Sequence, residues 1–179
     1  MSQIPVWFER RFDFSLPVSL LPNLLARLRG TPARLADALS GRGQPLLIAK
    51  LPGKWSAQEQ AGHLADLEPL WLARVEDYLT GSNQLTPADL QNRKTEEANH
   101  NARPLDDILS EFRSARQKLL NRVEKLDASP FAHTLTHPRL QTPMRLIDHL
   151  YFVAEHDDHH LARIWELITG HSYGRFGQL

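Results

Sequence analysis

The chain contains no cysteine, which excludes disulfides, thiolate metal sites and a cysteine nucleophile. Net charge is also missing, since Lys+Arg and Asp+Glu number 21 each. A neutral chain lacks the broad attraction to phosphate backbones that a dedicated nucleic-acid binder uses, so no nucleic-acid partner is expected. Long apolar runs are absent as well. The most apolar stretches, 16–28 and 46–51, are broken by Pro, Asn, Arg or Lys, so no membrane partner is expected. From Met1 to Arg11 the charges follow a very short apolar stretch, the reverse of a secretory signal. A cytoplasmic protein is the expectation.

Histidine, by contrast, is abundant: there are nine, and six of them lie between His133 and His160. The pattern around them is helical. Ser56 followed by Glu59 is a capping box, which predicts a helix start, and the apolar positions Ala57, Ala61, Leu64, Leu67, Leu70, Trp71, Val75 and Leu79 keep a helical period towards Gly81. Pro69 within this run predicts a kink or a split. A short helix is expected over 18–28, stopped by Arg29-Gly30, and a second is expected to start at Thr31-Pro32 and end at Ser40-Gly41. Pro104 opens a helix carrying Leu105, Ile108, Phe112, Leu119 and Val123, and Pro143 is expected to open the last one, which ends near Gly170. Residues 43–54, 82–103 and 128–142 read as connections, and the extended segment 1–16 carries Trp7, Phe8, Phe12 and Phe14, which need a surface to pack on. Four main helices with two long crossover loops predict an all-α, four-helix-bundle domain over 1–179.

His156 and His160 are four apart, so their rings share one helix face, in a stripe with Phe152, Val153, Ile164 and Leu167. His63 lies in a similar stripe with Leu67 and Leu70 on another helix. A lone interior histidine is usually a hydrogen-bonded core residue. Three of them on two helices instead make a sensible three-ligand metal site with open positions. His149 and His159 are the alternative or additional ligands. His133 and His137 fall in a loop that is able to cover a pocket. The spacing also resembles the zinc-protease His-Glu-x-x-His, but Asp157 replaces the glutamate and no third ligand follows downstream, which disfavours that reading.

The runs from Trp55 through Gly62-His63-Leu64 to Glu68, then Arg74, and from Ala154 to Ile164, resemble the DinB family of helical-bundle metal proteins. The run from Arg27 to Leu35 is also similar, so the resemblance is strongest over 27–168. It implies up-down-down-up helix order, frequent homodimers, and a zinc or nickel site whose ligands fall on His63, His156 and His160. It also implies kinship with enzymes that use low-molecular-weight thiols, including thiol S-transferases and a mycothiol-dependent isomerase. The leading expectation is therefore a metal-dependent thiol S-transferase acting on a small-molecule substrate. Metal-assisted hydrolysis with Asp66 or Asp157 as base is the alternative, since Glu59 is occupied as a cap. A stress-response or binding protein with a structural metal is the third reading.

Overall fold

The computed structural model describes residues 4–170, so the first three residues of the expected extended segment lie outside it. Six α-helices and one hairpin follow an irregular N-terminal stretch with 3-10 turns at Trp7–Glu9 and Val18–Leu20. The helices are α1 (Leu21–Leu39), α2 (Gln44–Leu47), α3 (Ala57–Asp77), α4 (Arg93–Glu97), α5 (Leu105–Val123) and α6 (Leu146–Thr169). Among the described residues, no helix is long and apolar enough to cross a membrane. The long helices α1 and α3 each pack against both α5 and α6. One apolar cluster gathers Leu28, Trp71, Leu119, Ile147, Leu150 and Val153, and a second gathers Leu35, Leu39, Leu64, Ile108, Phe112 and Ile164.

The capping box forms as the sequence predicts. Ser56 Oγ accepts from the Glu59 N–H at 3.1 Å, and the Glu59 carboxylate accepts from the Ser56 N–H at 2.8 Å. Gly170 closes α6 in the left-handed conformation, with φ of 66°. The N-terminal segment finds its surface too: the Arg145 guanidinium donates to the Phe14 and Leu16 carbonyls, and Trp7 packs on Phe12 and Phe152.

Three local expectations are corrected. The helix that was to stop at Arg29-Gly30 continues through Thr31-Pro32, so α1 is one element. Pro32 cannot donate to the Leu28 carbonyl, but Arg116 Nη1 does so from α5 at 3.1 Å, and the buried stripe runs on from Leu24 and Leu28 in the first apolar cluster to Leu35 and Leu39 in the second. Of the kink or split expected at Pro69, the split does not occur, and α3 is continuous from Ala57 to Asp77. Pro143 starts a strand rather than a helix. β1 (Thr134–Thr136) and β2 (Pro143–Arg145) pair antiparallel with Leu135 opposite Met144, both buried, so the chain is mostly helical with a small sheet and not purely α. A proline is tolerated there because the first residue of an edge strand need not donate.

Candidate metal centre

Helices α3 and α6 bring His63, His156 and His160 together, and all three are buried. Ring centroids lie 4.4 Å apart for His156 and His160, 4.7 Å for His63 and His160, and 5.3 Å for His63 and His156. One nitrogen from each ring falls within 4.8 Å of the other two. His156 Nε2 and His160 Nε2 face each other at 3.1 Å. That separation is close to the roughly 3.3 Å that two nitrogens about 2.05 Å from a tetrahedral zinc adopt.

Partners outside the cluster choose which nitrogen faces in. His160 Nδ1 donates to Gln60 Oε1 at 2.5 Å, because an amide oxygen only accepts. Thr95 Oγ1 donates to Asp66 Oδ2 at 3.0 Å and so accepts from His63 Nδ1, also at 3.0 Å. Both rings thus keep Nε2 as a lone pair, an orientation set by a carboxylate behind one ring and an amide behind the other. His100 Nε2 reaches the same Asp66 oxygen at 2.8 Å. Its ring lies so close to α3 that a Cβ on Gly62 would stand 2.3 Å from it, so glycine is required at that point of the helix.

Burial holds all three rings neutral. It lowers the His63 pKa to about 4, with Asp66 opposing and His100 adding to the fall. His156 and His160 are pushed well below the ordinary value, first by burial and then by their neighbouring histidines. Neutral imidazoles are the form that ligates a metal, so the donor set fits a zinc- or nickel-type cation.

The cluster lines a cavity of about 1020 Å³. Trp55 packs its ring on His63 at 4.6 Å, Trp7 meets His156 edge-on at 5.1 Å, and Trp71 meets His156 at 5.4 Å. His159 also lines the cavity, with its pKa lowered to about 4 by burial and then by Arg163. His137, Arg139 and Arg74 form another part of the wall. The remaining candidates lie off the cavity wall. His149 is buried against Trp71, 3.4 Å from its carbonyl, and His133 Nδ1 lies 3.0 Å from the Tyr78 carbonyl. Asp157 pairs with Arg116 at 2.6 Å, and Asp66 faces Thr95 and His100. Sequence reasoning missed Thr95, Gln60, His100 and Arg74 as parts of the site, although a glycine inside a helix just before a histidine signals a close approach.

Comparison with known proteins agrees with this architecture. YfiT from Bacillus subtilis, described as a probable metal-dependent hydrolase with an unusual four-helix bundle topology, superposes with a TM-score of 0.78 at 21% identity, covering 89% of this chain and 91% of that one. The mycothiol-dependent maleylpyruvate isomerase gives a TM-score of 0.64 at 15% identity, covering 88% and 69%. A Streptococcus pneumoniae protein gives 0.63 at 11% identity, covering 89% and 94%. At these identities the likeness establishes the fold. No curated protein sequence matches the chain. The DinB superfamily model matches residues 24–164, most of the chain, and the protein therefore belongs to the DinB superfamily.

Proposed function

We propose that the chain is a metal-dependent enzyme that holds zinc or nickel on His63, His156 and His160 and transfers a low-molecular-weight thiol to an electrophile. The observation that carries this reading is the cluster of three buried, neutral imidazoles at the wall of a cavity of about 1020 Å³. Because all three ligands are neutral, a divalent cation bound there keeps its double charge and supplies a Lewis acid that favours a thiolate over a thiol. The chain's own residues orient and enclose. Gln60 and Thr95 fix the tautomers of His160 and His63, Asp66 anchors Thr95, and Trp7, Trp55 and Trp71 limit water beside the rings. The thiol supplies the nucleophile, which accommodates the lack of cysteine.

Metal-assisted hydrolysis is the second reading, favoured by the likeness to YfiT. Against it, the cavity wall includes neither Asp66 nor Asp157, the two carboxylates considered as bases. The proposal extends to one domain over 1–179 in up-down-down-up order. Contacts that advance together support the same direction for α3 and α5 (Glu68 with Arg116, Glu76 with Arg122) and for α1 and α6 (Arg27 with Ala154, Arg34 with Asp158). Contacts that run in reverse, Gln60 with His160 and Trp71 with His149, support opposite directions for α3 and α6.

The test is metal content and affinity. Purified without chelator, the protein should carry about one zinc or nickel ion per chain. His63→Ala, His156→Ala and His160→Ala should each weaken binding more than about 100-fold, beyond the usual range for outer partners. His133→Ala should leave it unchanged. Affinity should hold as pH falls through the ordinary imidazole value of about 6.5, and drop only towards the His63 value of about 4, because protons compete with metal only where the folded ring titrates. Full occupancy in all three alanine variants sinks the assignment. With metal bound, thiol addition to a panel of electrophiles supports transfer, and turnover confined to ester or amide hydrolysis supports the second reading.

A further inference from the structure

The cavity has a second polar wall beside the Trp71 ring, which His156 also meets. Arg74 is buried on α3, its guanidinium carbon 5.4 Å from the Trp71 ring centre, while His156 lies 5.4 Å from the same ring. Arg74 Nη1 stands 3.2 Å from His137 Nε2. At first sight the imidazole accepts from the guanidinium. The other side of the ring rules this out for a neutral histidine. His137 Nδ1 accepts from two backbone N–H groups, those of Arg139 at 3.2 Å and Leu140 at 3.1 Å. A neutral imidazole has one N–H, so Nε2 must carry it, and two donors face each other. Protonating the ring leaves the conflict in place, because Nε2 still carries hydrogen. Burial first, then Arg74 and Arg139, lowers the His137 pKa to about 3, so the ring is neutral.

Further donors nearby lack acceptors. Arg74 spends Nε on the Thr86 carbonyl at 2.8 Å, but no protein acceptor meets its Nη2 among the described residues. Arg139 Nη2 is buried without a partner, as is Trp71 Nε1. Neither arginine has an ion pair among the described residues, and burial lowers the pKa of both. The acidic residues of the cavity wall do not answer this need. Asp89 pairs with Arg93 at 3.0 Å, Glu96 accepts from Trp55 Nε1 at 2.6 Å, and Glu166 pairs with Arg163 at 3.4 Å. Buried donors left without acceptors are uncommon and costly in a folded chain, and two guanidinium groups beside an imidazole N–H match the acceptor geometry of a carboxylate.

We propose that Arg74, His137 and Arg139 form an anion subsite that takes the carboxylate of a small organic acid, whose apolar body lies along Trp71, Phe152 and Leu67 towards the histidine cluster. This deepens the proposed function, on which it rests for the view that the cavity is the substrate site, by giving the substrate class. The carboxylate accepts from His137 Nε2 and Arg74 Nη1 together, which resolves the facing donors, and Arg139 Nη2 supplies the counter-charge from the loop after β1.

The probes are 3-phenylpropionate and its uncharged analogue 3-phenylpropionamide, titrated into the full-length protein by calorimetry and by tryptophan fluorescence. Both the metal-free and the zinc-loaded protein are used. The acid should bind at least about tenfold more tightly than the amide in both forms, as expected for a charge-assisted contact with guanidinium groups. Arg139→Met, on a partly exposed side chain, should reduce that preference to within about twofold, and Arg74→Met should do the same if its melting curve shows a folded protein. Equal affinity for acid and amide overturns the proposal, as does no binding of the acid or a preference that survives Arg139→Met. A preference that vanishes when metal is removed also overturns it, because the carboxylate then sits on the metal. If the chain binds no metal at all but the Arg139-dependent preference remains, the subsite stands while the metal-enzyme reading fails.

Discussion

Arg116 with its two carboxylates and the three-histidine cluster are both buried polar groups in one bundle, yet they are completed in opposite ways. Every N–H of the Arg116 guanidinium has an acceptor. Nε donates to Glu68, Nη2 to Glu68 and Asp157, and Nη1 to Asp157 and the Leu28 carbonyl. Phe112 of one apolar cluster covers its face at 5.0 Å, and Leu28 belongs to the other cluster, so the group joins the two halves of the core. The histidine cluster satisfies only its outward nitrogens on His63 and His160, and leaves His156 Nδ1 without a partner and two Nε2 atoms face to face. A polar group completed from within holds a fold together, and one left incomplete is open to a ligand.

The largest expected effect tests the completed cluster. Arg116→Met leaves Glu68, Asp157 and the Leu28 carbonyl buried without their partner, and should lower unfolding free energy by about 3–5 kcal/mol. Burial already pushes the Glu68 pKa up to about 7 against the pull of Arg116, so removing the arginine leaves that carboxyl in its protonated form. Urea unfolding measures the loss. Metal affinity of the molecules that remain folded should change little. A loss below about 1 kcal/mol, typical of a surface pair, would break the comparison at its structural end.

A smaller effect tests the incomplete cluster. Thr95→Val deletes the hydroxyl that links His63 Nδ1 to Asp66 while keeping the side-chain shape. Metal affinity should fall about 10–100-fold, the range for removal of a partner that orients a ligand. Thr95→Ser, which restores the hydroxyl, should recover most of it. A chelator competition titration reads both variants. Equal affinity for the valine and serine forms would show that the hydroxyl does not orient His63.

The same contrast explains what was legible in the sequence. Helical period and caps depend on neighbours three or four residues away, so the start of α3, the end of α6 and the shared face of His156 and His160 were readable. The continuity of α1 was not, because the donor that replaces the Pro32 N–H comes from Arg116, 88 positions from Leu28. Gln60 sits on the readable helix, but its role depends on His160 one hundred positions away. Thr95 and His100 lie in the long polar connection, and only the folded chain lays that connection against α3. The hairpin was missed because three-residue strands leave too little alternation to read.

The smallest effect separates the helix that carries the centre from the centre itself. Ser56→Ala removes the acceptor for the Glu59 N–H and the 2.7 Å bond from Ser56 Oγ to Asn101 Oδ1. The expected cost is about 1 kcal/mol in unfolding free energy, the usual value for a lost N-cap. Metal affinity should stay within about threefold, well under the shift expected for a group that orients a ligand. The reason is local. Gln60 and His63 lie beyond the first exposed N–H groups of α3, and each is held by its own partner, His160 and Thr95. Fraying of the first turn therefore loosens Ala57 and Gln58 before it reaches His63. Urea unfolding and chelator competition on the same preparation give both numbers. If Ser56→Ala weakened metal binding as much as Thr95→Val, the first turn and the histidine cluster would form one cooperative unit, and the distinction between a scaffold completed from within and a site left open would fail at its nearest boundary.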